Sequence, residues 1–192
     1  MIRAAFTGIA LALGFGLSAA AQDANDVMVI EVTGEANGTI EIQLLPDVAP
    51  VHVERLETLA REGAYDGVVF HRVIEGFMAQ TGDVEYGTVD AFNQGRAGTG
   101  GSSYPDLPSE FSDISYEKGV VGMARSQDPD SANSQFFIMF SEAPFLNGQY
   151  TVVGKVISGQ DVVDEIKRGS GSNGMVSDKP DVMKKVYMKG GQ

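Results

Sequence analysis

The chain contains no cysteine. That excludes disulfides, thiolate metal ligands and a lipid-bearing cysteine at a processing junction, and a cysteine-free chain is at ease in an oxidising compartment. Tryptophan is also absent, and histidine is confined to His52 and His71. Two isolated histidines do not make a zinc site, so neither a metal nor a cofactor is expected. Basic residues are scarce: 14 Lys and Arg stand against 26 Asp and Glu, for a formal charge of −12. Phosphate binding needs clustered cations, so nucleic acid is not an expected partner; the acidic surface serves solubility. No apolar run is long enough for a comfortable membrane span, which takes roughly 20 residues.

What apolar run there is lies at the start. Arg3 forms a short basic region, Ala4 to Leu17 is apolar and uncharged, and Ala19-Ala20-Ala21 supplies small residues ahead of Gln22 and Asp23. This is the pattern of a secretory signal. Residues 1–21 are expected to be removed near Ala21, leaving residues 22–192 as one domain in the periplasm or outside the cell, without stable membrane insertion. An uncleaved anchor is the alternative. Cleavage removes one base and no acid, leaving 13 bases against 26 acids.

The remaining length suits a single core-bearing domain. Hydrophobic residues at 43% and charged residues at 21% are ordinary for a globular protein. Val27 to Val32 reads as a strand, Asn37-Gly38 as a hairpin turn, and Thr39 to Leu45 as a strand with Ile40, Ile42 and Leu44 on its buried face. Pro50 opens a helix in which Val53, Leu56, Leu59 and Ala60 face inward while Glu54, Arg55 and Glu57 face away, and Gly63 ends it. Further strands are expected at Val68 to Ile74, Phe77 to Thr81, Val120 to Ala124, Gln135 to Phe140, Thr151 to Val156 and Val182 to Met188. A second helix is expected over about Gln160 to Lys167. Gly82 to Ser109, rich in Gly, Ser, Asp and Pro, reads as a long surface excursion of the functional or mobile kind. Eight short strands and two helices predict a mainly β fold: a closed eight-stranded antiparallel barrel capped by two α-helices, since closure removes exposed edges. A two-sheet sandwich is the alternative.

Chemistry concentrates in Phe70-His71-Arg72-Val73-Ile74, Phe77-Met78-Ala79-Gln80 and Ser134-Gln135-Phe136-Phe137-Ile138. A strand period places Phe70, Arg72 and Ile74 on one face and His71 and Val73 on the other. A guanidinium among apolar neighbours must find acceptors. Snorkelling to the rim, pairing with an acid and holding a ligand all satisfy it, and the strand alone leaves these open. An arginine and two amides in an apolar surround can bind and polarise a peptide group but cannot easily hydrolyse it. His71 reads as structural and His52 as a solvated surface residue. Gly98-Thr99-Gly100-Gly101 lacks the lysine and spacing of a phosphate loop and reads as a turn or groove wall. Asp128-Pro129-Asp130-Ser131 lacks calcium-loop spacing and reads as a proline turn.

The run from Phe70 to Gln80 with Gly82-Asp83 resembles the signature of the cyclophilin-type peptidyl-prolyl cis-trans isomerases. Gly98 to Gly101, Ser134 to Ile138, Phe145-Leu146-Asn147-Gly148 and Val153-Gly154-Lys155-Val156 resemble that family's other motifs, in its order. The likeness extends from about Val27 to Met188. It implies a barrel with its groove on the outer surface and proline-containing segments of unfolded or folding proteins as partners. By matching position, it implies Arg72 as the catalytic cation and Phe77, Met78, Phe137 and Leu146 as the proline pocket, with Phe145 at its edge. Gln80 and Gln135 would orient Arg72 and the peptide, and the backbone at Ala124 and Arg125 would hold the residues before proline. Tyr150 stands where the family often has histidine, Phe145 where many members have tryptophan, and Arg125 where those members have asparagine. The missing indole N–H predicts weakened binding of a cyclosporin-type inhibitor. The chain between Asp83 and Gly98 is longer than in compact members.

The expected reaction is rotation about X–Pro bonds in exported proteins, by a monomer. It moves no proton, so the lack of an acid–base pair agrees with it. The rival reading is a proline-loop binding module or chaperone with incidental turnover; a barrel holding a small ligand inside is disfavoured by large side chains on both strand faces.

Overall fold

The computed structural model of the chain describes residues 26–92 and 95–190. The expected signal segment lies outside them. Two strands, β1 (Val27–Thr33) and β2 (Gly38–Leu44), form the opening hairpin, with Val27 opposite Gln43 and Val32 opposite Gly38. Ile40, Ile42 and Leu44 are buried as their alternation predicts.

Helix α1 (Pro50–Arg61) starts with proline at its first position and has no local side-chain cap. Its cap comes from far along the chain. The Glu110 carboxylate accepts from the Val51 N–H at 3.2 Å and the His52 N–H at 3.0 Å, and sits 2.6 Å from His52 Nδ1. This satisfies N–H groups that a helix start leaves without partners. It also corrects two expectations. His52 is fully buried rather than solvated. Arg55 turns inward as well, donating to Pro105 O at 2.9 Å and Asn133 O at 3.3 Å, with its guanidinium 5.0 Å from the Tyr104 ring. Arg55 pins the long excursion to the helix at Pro105, and His52 holds Glu110 just past its end, tertiary roles that periodicity does not encode. At Glu110, burial pushes the carboxyl up, but the His52 ring and the backbone N–H donors outweigh it and hold it below its ordinary range.

Seven more strands complete one antiparallel sheet: β3 (Val68–Val69), β4 (Arg72–Ile74), β5 (Met78–Thr81), β6 (Val120–Met123), β7 (Phe136–Met139), β8 (Val152–Ser158) and β9 (Val182–Met188). Their order is β3-β9-β1-β2-β8-β6-β7-β5-β4. The sheet is therefore a curled nine-stranded half-barrel, not a closed eight-stranded barrel. The extra strand arises because the run expected at Val68 to Ile74 breaks at Phe70-His71. β3 pairs with β9, while β4 pairs with β5. Other segments occupy the pairing positions on either side of the break. Val69 N donates to Gly87 O and Val89 N to Gly67 O; Val73 N donates to Gly174 O and Val176 N to His71 O. Both sheet ends are thus covered instead of joined, which answers the edge problem without ladder closure.

The break also changes which side chains share a face. Phe70 and Val73 enter the main core with Ile30, Ile42, Leu56, Tyr65 and Phe136. Arg72 and Ile74 face outward, so Phe70 and Arg72 do not share a face as a straight strand would require. Short α2 (Gln160–Glu165) seats Val162 and Val163 in the same core. The long excursion is tied down by Asp83, which is fully buried. Its carboxylate accepts from the N–H groups of Glu85, Tyr86, Gly98 and Gly100 at 2.7–3.1 Å. Gly82 beside it has φ +86°, and a Cβ there would lie 2.6 Å from Ser134 O; only glycine suits the position.

Candidate active site

A second apolar cluster lies on the outer face of the sheet: Met78, Tyr116, Val120, Phe137, Met139, Leu146 and Val152 are buried there, with Phe77 and Tyr150 packed against them. Register explains the grouping. Arg72 on β4 is opposite Gln80 on β5, Gln80 is opposite Phe137 on β7, and Phe137 is opposite Gly122 on β6. Directly paired residues project to the same face. One row across four strands therefore aligns a cation, an amide and an aromatic ring. Gly122 ends the row for a steric reason: a Cβ there would come within 2.6 Å of Phe137 Cζ. The vacant volume lets the Phe137 ring stack on Tyr116 at 5.8 Å and 24°, while Tyr150 meets it edge-on at 5.8 Å and 84°.

A cavity of about 510 Å³ opens above this row. It is lined by Arg72, Phe77, Met78, Gln80, Ala124, Arg125, Phe137, Phe145, Leu146, Gln149 and Tyr150. Gln135 lines an adjoining cavity of about 390 Å³, whose wall includes Gly98 to Gly100, Ser126, Ser131 and Asn133. Phe145 and Leu146 arrive on a short 3₁₀ turn, Pro144–Leu146. Leu146 points down into the cluster, whereas Phe145 is 69% exposed, with its ring 5.6 Å from Phe77.

The guanidinium of Arg72 is oriented by neutral acceptors. Its Nε donates to Asn173 O at 2.9 Å and its Nη1 to Gln80 Oε1 at 3.1 Å; Gln80 Nε2 donates to Gln135 Oε1 at 3.0 Å, and Gln135 Nε2 to Gly100 O at 2.8 Å. The relay has a direction. Gly100 O is a pure acceptor, so it must face the Gln135 NH₂, and each amide oxygen is then turned back towards Arg72. Among the described residues no carboxylate pairs with Arg72 and its Nη2 has no hydrogen-bond partner, so a donor remains for a ligand. Half-burial lowers the guanidinium pKa, and the nearby Tyr150 draws it partly back; arginine stays charged regardless.

Arg125 does something its charge does not predict. Its Nε and Nη2 donate to Gln149 O at 3.2 and 2.8 Å, and Nη1 donates to Ser126 O at 2.9 Å and Gln127 O at 3.3 Å. Its guanidinium lies 4.4 Å from the centre of the Tyr150 ring. These bonds cross-link two walls of the groove. Gln149, Tyr116 and Asn173 have no counterpart among the sequence expectations. Gln149 and Asn173 contribute backbone carbonyls, which no residue type announces, and Tyr116 sits in a loop without periodicity.

His71 is buried beside Arg72, and burial pushes its pKa down to about 4, with Asp83 opposing and Arg72 reinforcing the shift. Folding therefore favours the neutral ring. The unfolded ring protonates near its ordinary 6.5, so the stabilisation is complete above that pH and is lost as pH falls towards 4. The full drop is about 3 kcal/mol. Urea titrations at pH 7 and pH 4.5 should show this slope in the wild type and a shallower one in His71→Gln. Parallel slopes would remove His71 as its source.

A curled antiparallel sheet thus carries an external apolar groove with a cation at its wall, in a mainly β fold. The model of the cyclophilin-type peptidyl-prolyl cis-trans isomerases matches residues 27–188, and the chain belongs to that family. It is 55% identical over 183 residues to a probable peptidyl-prolyl cis-trans isomerase of Brucella suis, covering 94% of this chain and 92% of that one. It is 39% identical over 157 residues to peptidyl-prolyl cis-trans isomerase B of Bacillus subtilis, covering 81% and 94%. A Cryptosporidium parvum cyclophilin, crystallised in the presence of the dipeptide Ala-Pro, superposes with a TM-score of 0.70 at 26% identity, covering 84% of this chain and 98% of that one. The chain is thus a cyclophilin-type isomerase of X–Pro bonds.

Proposed function

We propose that this isomerase is exported, acts as a monomer in the periplasm or outside the cell, and speeds proline-limited folding of other exported proteins, with Arg72 as its catalytic residue. The observation that carries the catalytic assignment is a guanidinium held by two neutral acceptors, with no acid partner among the described residues, at the wall of an apolar cavity.

The planar X–Pro bond is held by amide resonance, with a barrier of ~18–20 kcal/mol. Halfway through rotation that resonance is lost, and the proline nitrogen regains a lone pair able to accept a hydrogen bond. A donor aimed there binds the twisted state in preference to either planar one, which is the condition for acceleration. Phe77, Met78, Phe137 and Leu146 grip the proline ring, so the preceding carbonyl turns against a fixed point; their low polarity also disfavours the charge-separated planar amide. Gln80 and Gln135 keep the guanidinium oriented, and the backbone at Ala124 and Arg125 holds the residues before proline.

A pure binding module gains nothing from a donor specific for the twisted amide, so Arg72 favours turnover over simple capture. A protease-coupled isomerisation assay on residues 22–192, with a proline-containing peptide, tests the activity. Terminal sequencing of exported material tests cleavage near Ala21, and size-exclusion chromatography tests the monomer. Restoring the indole donor with Phe145→Trp should tighten cyclosporin inhibition by up to about tenfold, the scale of one net hydrogen bond, with turnover nearly unchanged. An inhibition constant that does not move would show that the aromatic edge is not what weakens the drug.

A further inference from the structure

Behind Arg72 lies a separate cavity of about 150 Å³, lined by His71, Arg72, Gln80, Ala97, Gly98, Thr99, Asn173 and Met175. Met175 forms an antiparallel bridge with Arg72. Residues directly opposite in such a bridge have Cβ atoms about 4.5–5.5 Å apart and side chains on one face, so the Met175 and Arg72 side chains leave the backbone side by side and line one cavity. Met175 is also 37% exposed. Every other methionine among the described residues (Met28, Met78, Met123, Met139, Met183 and Met188) is at most 2% exposed. Thioether oxidation by a peroxide or hypohalous acid follows access to solvent. Among the described residues one methionine is therefore open to it, and it lines the same cavity as Arg72.

We propose that Met175 is an oxidation site through which peroxide lowers isomerase activity reversibly. The step is a two-electron oxygen transfer: the Met175 sulfur bonds to one peroxide oxygen as the O–O bond breaks, the sulfur is oxidised, and the peroxide is reduced to water. The product replaces a weak acceptor with a strongly polar S=O group. That oxygen competes for the Arg72 N–H groups now held by Asn173 O and Gln80 Oε1 at 2.9 and 3.1 Å. A charge-assisted bond to the sulfoxide draws the guanidinium towards the rear cavity and away from the groove. Met175 touches no reacting atom; it is the oxidised side chain alone that acts, and it acts through Arg72. The proposal rests on Arg72 being the catalytic donor.

The experiment is hydrogen peroxide treatment of the mature chain, followed by peptide mass mapping and kinetics. Oxygen should appear first on the peptide containing Met175, and kcat should fall about tenfold, equivalent to misplacing one donor. KM and thermal unfolding should change little. Methionine sulfoxide reductase should restore the rate. Met175→Leu should keep basal activity and resist peroxide, while Met175→Gln, a polar mimic of the sulfoxide, should be slow without treatment. Oxygen arriving first at Met78, full oxidation of Met175 at unchanged kcat, or inactivation of Met175→Leu at the wild-type rate would each overturn the proposal. Arg72→Ala separates the two readings: if it remains active, the catalytic assignment fails by itself, whatever peroxide does.

Discussion

Arg72→Ala is expected to lower kcat/KM on a proline-containing peptide by about 10²-fold or more, the scale of removing one donor that stabilises a transition state. The loss should fall on kcat, because the donor contacts an atom that accepts only when the amide is twisted. The fold should survive. Arg72 is half-buried at the groove wall, bonded to one carbonyl and one amide oxygen, and among the described residues makes no ion pair whose rupture would strand a buried charge. Arg72→Lys is the sharper variant. It keeps the charge but loses the planar fork that meets Asn173 O and Gln80 Oε1 together, so orientation fails where charge persists. A lysine variant near full activity would show that positive potential alone is enough; an alanine variant near full activity would end the mechanism.

Why this site was readable follows from how it is built. Phe77, Met78, Gln80 and Phe137 lie on strands or beside them, where the two-residue period decides the face, and the motifs carrying them are contiguous. The hairpin at Asn37-Gly38 and the proline start of α1 were legible for the same local reason. What escaped is non-local. His52 and Arg55 have the spacing of outward helix positions, and only Glu110, 58 residues downstream of His52, and the Pro105 carbonyl turn them inward. The run Val68 to Ile74 has strand composition throughout, yet segments near Gly87 and Gly174 take its pairing positions on either side of His71 and divide it. Arg125 reads as a groove charge until its acceptors, all of them backbone carbonyls, are known. Backbone partners leave no mark in residue type, so a clamp of this kind is invisible before the fold is in hand.

Phe137→Ala is the substitution expected to affect both stability and binding. The ring is 6% exposed, stacks on Tyr116, meets the edge of Tyr150 and fills the space left by Gly122. Full burial of a phenylalanine predicts a loss of roughly 3–5 kcal/mol on truncation. One face of this ring looks into the groove and not into packed protein, so the lower end of that range is expected. For a domain of this size, about 3 kcal/mol corresponds to a fall in Tm of roughly 6–12 °C. The same truncation removes the floor against which a proline ring would press, so KM should rise while Arg72, still held by Gln80 and Asn173, leaves kcat closer to wild type. Stability and affinity must move together if the ring serves both the outer cluster and the pocket. A variant that unfolds early yet binds peptide normally would make Phe137 a packing residue alone and shift the proline site towards Phe77 and Leu146. Normal unfolding with lost affinity would mean that Tyr116 and Tyr150 close over the gap and hold the sheet face without it.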